Sequence, residues 1–210
     1  MPSVSQGLAA GIIGLDLKLG PQQQAMLLDF LALMLKWNRV YNLTAIREPE
    51  RMVSHHLLDS LAIVPHVDGE NILDVGSGAG LPGIPLAVAR PDISVTMLDS
   101  NHKKTAFIQQ AIAALGLKNA RVISERVENL RMPQLFDVIV SRAFAELSDF
   151  VTQSGHLLDE GGEFVAMKGQ QPDAEIARLP DSFGVKKMLR LVVPGLDAER
   201  HLVFIETKAT

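Results

Sequence analysis

Asp74-Val75-Gly76-Ser77-Gly78-Ala79-Gly80-Leu81-Pro82-Gly83 decides how the rest of the chain is read. It follows a short apolar run, Asn71 to Val75, and precedes a helical pattern from Gly83 to Ala89. A strand that turns at once into a helix needs residues without Cβ, both to fold the backbone tightly and to let a ligand come close. The helix that follows presents its positive end to whatever lies beside the turn. Asp99 ends the next apolar run, where a carboxylate with two oxygens can accept hydrogen bonds from both hydroxyls of a ribose. A nucleoside-bearing cofactor is therefore expected beside this turn.

Working outward, the spacing predicts strands at Asn71–Val75, Ser94–Leu98, Arg121–Ile123, Phe136–Val140, Glu163–Met167, Leu189–Val193 and His201–Thr207. Helical patterns fall between most of them, at Gly83–Ala89, His102–Leu115 and Leu147–Leu158. Such alternation predicts a mostly parallel sheet covered by helices on both faces. Pro194 to Arg200 is too short for a crossover helix, so the last two strands are expected to pair antiparallel. Upstream, Pro21 suits a first helical position, and Leu27, Leu28, Leu31, Met34 and Leu35 form one stripe. Asn38 to Asn42 breaks that pattern, and a second helical start follows at Pro49. The expected organisation is an N-terminal helical region over residues 1–66 and an α/β domain over residues 67–210.

Composition restricts the functional classes. The 210 residues carry a net charge of -4 and no cysteine, which excludes disulfides, thiolate metal sites and a cysteine nucleophile. No apolar run reaches the ~18 residues of a membrane span, and the start of the chain lacks a signal-peptide pattern. A cytoplasmic monomer is the default expectation. A mildly acidic chain binds nucleic acid only through a local cluster of Lys and Arg.

Gly78, Gly80 and Gly83 also match G-x-G-x-x-G, and Asp99 lies at the distance a dinucleotide fold requires, so a nicotinamide oxidoreductase is the competing reading. Three features favour a methyltransferase. Asp74 is acidic where the dinucleotide pattern has an apolar residue, the spacing counted from Gly76 is G-x-G-x-G, and Pro82 and Pro85 remove N–H groups a pyrophosphate would use. The position after the fourth strand reads Ser141-Arg142-Ala143-Phe144, without the Pro-Pro-aromatic motif of exocyclic-amine methylation. No convincing metal-ligand set is present. A nitrogen with an in-plane lone pair, such as guanine N7, can attack a methyl group without losing a proton, so orientation carries the catalysis.

Trp37–Thr44, His56–Ser60, Asp74–Pro85, Leu98–Ser100, Ser141–Phe144, Lys168–Gln170 and Glu199–Leu202 together make the chain resemble the bacterial 16S rRNA guanine-N7 methyltransferases, also called glucose-inhibited division protein B. The resemblance implies a Rossmann-like fold of seven strands with the last one antiparallel. It implies S-adenosylmethionine as cofactor and the 16S rRNA of the small ribosomal subunit as partner, with no metal and no membrane. Asp74, Gly76, Gly78, Gly80, Leu81 and Asp99 would hold the cofactor, and Val127 and Glu128 would receive adenine, whose N6 is met by Glu128, Glu125 or a carbonyl. Arg142 would border cofactor and base as the catalytic cation, and Lys168, Arg200 and Lys103 would meet RNA. Without that resemblance, Lys103 with Lys104 is equally a solvated helix face and Arg200 a hairpin charge. His55 and His56 are expected to serve helix packing and capping, and Trp37 and Tyr41 to pack against the sheet domain. A non-catalytic RNA-binding factor on the same fold is the third class; the intact glycine turn argues against it.

Overall fold

A computed structural model describes residues 3–142, 144 and 146–208. Ala143 of the Ser141–Phe144 segment, and Met1 and Pro2 of the N-terminal region, lie outside the described residues. The chain runs α1 (Val4–Gly14), α2 (Pro21–Tyr41), α3 (Pro49–Met52), a π-helical segment Val53–Leu58, and α4 (Asp59–Leu61). It then alternates through β1 (Asn71–Val75), α5 (Gly83–Ala89), β2 (Ser94–Asp99), α6 (His102–Leu115), β3 (Ala120–Ser124) and β4 (Phe136–Ser141). It ends with α7 (Leu147–Ser154), β5 (Leu158–Lys168), α8 (Asp173–Ile176), β6 (Phe183–Leu191) and β7 (Arg200–Thr207).

The sheet order is β3-β2-β1-β4-β5-β7-β6, with β7 antiparallel to both β5 and β6. This is the expected α/β sheet with its last strand reversed. The chain leaves β1 toward one edge and returns to β4 on its other side, so a crevice opens between β1 and β4 at their carboxyl ends. The sheet has an apolar cluster on each face: Ile72, Val138 and Val140 join one, and Leu73, Val75 and Ile139 the other. The first cluster also takes in Leu8, Leu27, Phe30, Met34 and Leu57, so the N-terminal helices share a core with α5 and α6.

Local chemistry fixes these helices. Gln23 accepts from the Gly20 amide at the start of α2, while its side-chain N–H groups reach the Val88 and Ala89 carbonyls at the end of α5. One residue thus satisfies orphan groups at two helix ends and ties them together. Asn42 closes α2 in the left-handed region, at φ 47°. Trp37 packs edge-on against Phe107 of α6, centroids 5.5 Å apart, and Tyr41 lies 5.0 Å from Trp37.

Several elements depart from the spacing-based expectation. A first helix, α1, starts at a Ser3/Gln6 capping box and buries Leu8, Gly11 and Ile12. The helix expected through Leu158 stops at Ser154, because Gly155–Leu157 tightens into a 3-10 turn. β5 begins five residues before the expected Glu163, in acidic sequence that reads as a loop. Its register with β4 shifts between Phe136 and Val138. β6 occupies Phe183–Leu191 rather than Leu189–Val193; a bulge between Val185 and Lys187 breaks its alternation.

Candidate active site

The glycine turn is built from the backbone upward. Gly76, Gly78 and Gly80 have φ of 72°, 58° and 76°, in the region that side chains with a Cβ resist. The Gly76 and Ser77 amides donate to the Leu98 carbonyl at 2.8 and 3.1 Å, which brings the turn against the end of β2. At Gly83 the limit is space: a Cβ there would stand 2.4 Å from Met97 Cγ and 2.8 Å from Asp74 Oδ2. Asp74 Oδ2 instead accepts from the Gly83 amide at 2.9 Å, so the acid locks the turn to the first residue of α5.

Asp74 is fully buried, and burial pushes its carboxyl up to about 7 against the lowering pull of its hydrogen bonds. Its Oδ1 is buried with no hydrogen-bond partner among the described residues. A buried acceptor without a donor is costly, which adds to the burial that favours the protonated carboxyl.

Beside the turn lies a cleft of about 310 Å³ lined by Gly76, Asp99, Val127, Glu128, Phe144 and Gln153 among others. Asp99 is positioned from both sides, Oδ2 accepting from the Gly78 amide at 2.9 Å and Oδ1 from the Asn101 amide at 2.8 Å. Each oxygen keeps a second lone pair for a hydroxyl. Glu125 and Glu128 both line the wall where adenine is expected, and one Glu125 oxygen already accepts from the Arg126 amide.

A second cleft of about 330 Å³ opens on the other side of the segment after β4. It is lined by Ile46, His55, His56, Asp59, Arg142, Met167, Lys168, Gly169 and Arg200. Asp59, 3% exposed at its side chain, accepts from Arg200 Nε at 2.7 Å and Arg142 Nη1 at 3.2 Å. Arg142 also reaches the His55 carbonyl at 3.4 Å. Lys168 pairs with Glu175 at 2.6 Å and donates to the Phe144 carbonyl at 3.1 Å. His56 is held by Thr44, Nε2 to Oγ1 at 2.8 Å; burial, with Arg142 nearby, brings its imidazole down to about 4.

The sequence-selected residues separate between these surfaces. Gly76, Asp99, Val127 and Glu128 line the first cleft; Arg142, Lys168 and Arg200 line the second. Gly78 and Gly80 shape the turn, and Leu81 turns its side chain into the apolar cluster, 3% exposed. Lys103 is exposed on the first turn of α6, and its neighbour Lys104 lines the first cleft. Arg200 is no free hairpin charge, since it is bound to Asp59. Gln153 and Asp59 were not assigned roles from sequence. Asp59 carried a signal, being an acid flanked by Leu57, Leu58 and Leu61 in an otherwise apolar run; Gln153 carried none beyond facing away from its buried neighbours Val151 and Ser154. Among the described residues no group of three or more His, Asp or Glu is set to hold a metal, and no helix is long and apolar enough to cross a membrane.

Strand order, reversed last strand and glycine turn define the class: a Rossmann-like methyltransferase fold. It is shared by the glycopeptide N-methyltransferase MtfA, solved with S-adenosylhomocysteine (TM-score 0.61, 12% identity, 73% of this chain and 87% of that one). The magnesium protoporphyrin IX methyltransferase of Synechocystis PCC 6803, solved with S-adenosylmethionine, shares it too (TM-score 0.59, 17% identity, 82% and 90%). Within that class the chain belongs to the rRNA small subunit methyltransferase G family, whose model matches residues 23–203. Ribosomal RNA small subunit methyltransferase G of Laribacter hongkongensis is 55% identical over 201 residues, covering 96% of this chain and 97% of the relative. That of Herminiimonas arsenicoxydans is 56% identical over 210 residues, covering 98% and 96%.

Proposed function

We propose that this enzyme transfers the methyl group of S-adenosylmethionine to N7 of a guanine in 16S rRNA of the small ribosomal subunit. The observation that carries the reading is the juxtaposition, across Arg142 and Phe144, of an acceptor-lined cleft over the glycine turn and a cation-lined cleft beside it. The first suits the cofactor. Asp74, buried behind the turn, holds it to α5 through the Gly83 amide, the Asp99 oxygens suit the ribose hydroxyls, and Val127 with Glu128 suits adenine. When bound, the cofactor supplies an electrophilic methyl group on a sulfonium.

The second cleft suits an RNA strand. Its charged lining is Arg142, Lys168 and Arg200 against Asp59, a net +2 when the histidines are left aside (3 − 1). Asp59 is engaged by two guanidiniums and His56 Nε2 by Thr44, while His55 holds Ser54 and the Arg51 carbonyl through Nδ1 alone. N7 has no proton to give up, so it needs none of them as a base. Catalysis then reduces to lining up nitrogen, methyl carbon and sulfur, and orientation of this kind can lower a barrier by roughly 7–11 kcal/mol. Arg142 lines the second cleft two residues before Phe144 of the first, and there borders the base. Residues 1–66 supply Ile46, His55, His56 and Asp59 to the RNA wall, and residues 67–210 form the domain that holds the cofactor. Lys103, exposed on the first turn of α6, adds an outlying phosphate contact. The enzyme works as a cytoplasmic monomer.

The test uses small subunits from cells lacking this protein, incubated with methyl-labelled S-adenosylmethionine, followed by mapping of label. Label at a single N7-methylguanine is expected. Label elsewhere, or none despite cofactor binding, sends the substrate assignment to another molecule.

A further inference from the structure

Asp59 sits where three distant segments meet. It comes from the N-terminal helices, Arg142 from the end of β4 and Arg200 from the start of β7. Two guanidiniums share one carboxylate, each on its own oxygen, at 2.7 and 3.2 Å. The acid is 3% exposed at its side chain, whereas Arg200 and Arg142 are 23% and 28% exposed. The shared anion is thus covered and the cations face the cleft. Arg200 spends Nε on Asp59 and Nη1 on the Glu199 carbonyl; Arg142 spends Nη1 on Asp59 and the His55 carbonyl. Among the described residues no hydrogen bond is recorded from Nη2 of either.

A guanidinium held rigidly on one side is pre-organised to donate on the other, which lowers the ordering cost of gripping a tetrahedral anion. The charge also balances. Two cations and one carboxylate leave +1, the complement of one phosphodiester. An exposed pair of arginines without the acid would repel each other and scatter over many rotamers.

We propose that Asp59 is a positioning residue that holds Arg142 and Arg200 as a two-armed clamp on a single backbone phosphate of the RNA. This rests on the RNA reading of the second cleft. The clamp fixes the strand next to the point where the two clefts adjoin, and so sets the register of the base presented to the methyl group.

The experiment compares the full-length protein with its Asp59→Asn variant for affinity to unmethylated small subunits across a salt series. S-adenosylhomocysteine affinity and methyl label are read on the same samples. Loss of one phosphate contact lowers the slope of log affinity against log salt by about 0.7–0.9. The expected result is that smaller slope, a KM for subunits raised about tenfold or more as one grip is lost, and unchanged S-adenosylhomocysteine affinity. A steeper slope with tighter binding would make Asp59 a mere neutraliser of positive charge and overturn the proposal. So would an unchanged slope with only a lower unfolding midpoint, or parallel loss of S-adenosylhomocysteine affinity. If Asp59→Asn does not fold, Arg200→Lys serves instead: it keeps the charge but cannot hold Asp59 through Nε while donating outward. It is expected to bind as weakly as a lost contact requires; binding like the parent overturns the clamp. Label at guanine N7 with no change in slope refutes the clamp alone. A changed slope without label refutes the reaction alone.

Discussion

The cleft proposed for the cofactor and the cleft proposed for RNA lie near one short segment, Phe144 lining the first and Arg142 the second, yet they are made differently. Around the glycine turn, most of the lining comes from strand ends and the segments just after them: Val75 and Gly76 at β1, Leu98 to Lys104 at β2 and Glu125 to Glu128 after β3, with Gln153 added from α7. These positions are held by main-chain amides, as Asp99 is by Gly78 and Asn101. The RNA cleft draws on Ile46 to Asp59, Arg142, Met167 to Gly169 and Arg200, and its geometry is held by side-chain ion pairs. Backbone-built sites fail through conformation, and side-chain-built sites through charge. The two are thereby separable by experiment.

The largest effect is expected at the turn. Gly76→Arg forces a side chain onto a residue at φ 72°, a conformation costing roughly 1–2 kcal/mol, and projects it into the cofactor cleft. S-adenosylhomocysteine binding, read by calorimetry, and methyl transfer should both vanish while circular dichroism stays that of the parent. Retained binding would mean that the cleft over Gly76 is not the cofactor's.

The clefts also contrast in their buried titratable groups. Asp74 rises from 3.8 to about 7, chiefly by burial, so between those values the folded state holds a proton that the unfolded state has lost. Its contribution to stability is full below about pH 4 and is lost as pH rises through 7, a fall of a few kcal/mol at about 1.4 per unit. Asp74→Asn should abolish that fall in urea titrations of the cofactor-free protein. A parent whose Asp74-dependent stability rises over this window would contradict the assignment.

His56 works in the opposite sense. Its imidazole falls from 6.5 to about 4, chiefly by burial, so its contribution is present above pH 6.5 and lost as pH drops toward 4. His56→Gln should flatten the acid limb by a somewhat smaller amount, again at about 1.4 kcal/mol per unit. NMR titration of the His56 ring gives a direct check, and a midpoint near 6.5 would refute it.

The smallest effect is expected from Lys103→Ala. An exposed cation on the rim of α6 contributes to long-range attraction, so subunit affinity should fall about threefold at low salt and almost not at all at high salt. A loss that persists at high salt would promote Lys103 to a direct contact within the RNA surface.

How much of this was legible beforehand differs between the same two regions. Gly83–Ala89 and His102–Leu115 match their expected bounds: the first is a wholly buried apolar run after the glycine turn, and the second buries a periodic face. β6 was displaced by several residues because edge strands with a bulge and consecutive lysines lose alternation. α1 falls within the expected helical region, but its bounds were not legible because its buried face, Leu8, Gly11 and Ile12, rests partly on a glycine that admits Leu58. Arg200 and Lys168 were selected as cations, but their partners Asp59 and Glu175 were not.

The sequence alone determined the glycine turn and the acids around it. A glycine turn, the acid before it and the acid after the next strand act through local backbone geometry, and local geometry is written in contiguous residues. Only the tertiary structure decided the ion-paired cleft beside it. Asp59 meets partners 83 and 141 positions away, and no spacing in a chain encodes which charges will converge once the N-terminal helices pack beside the sheet.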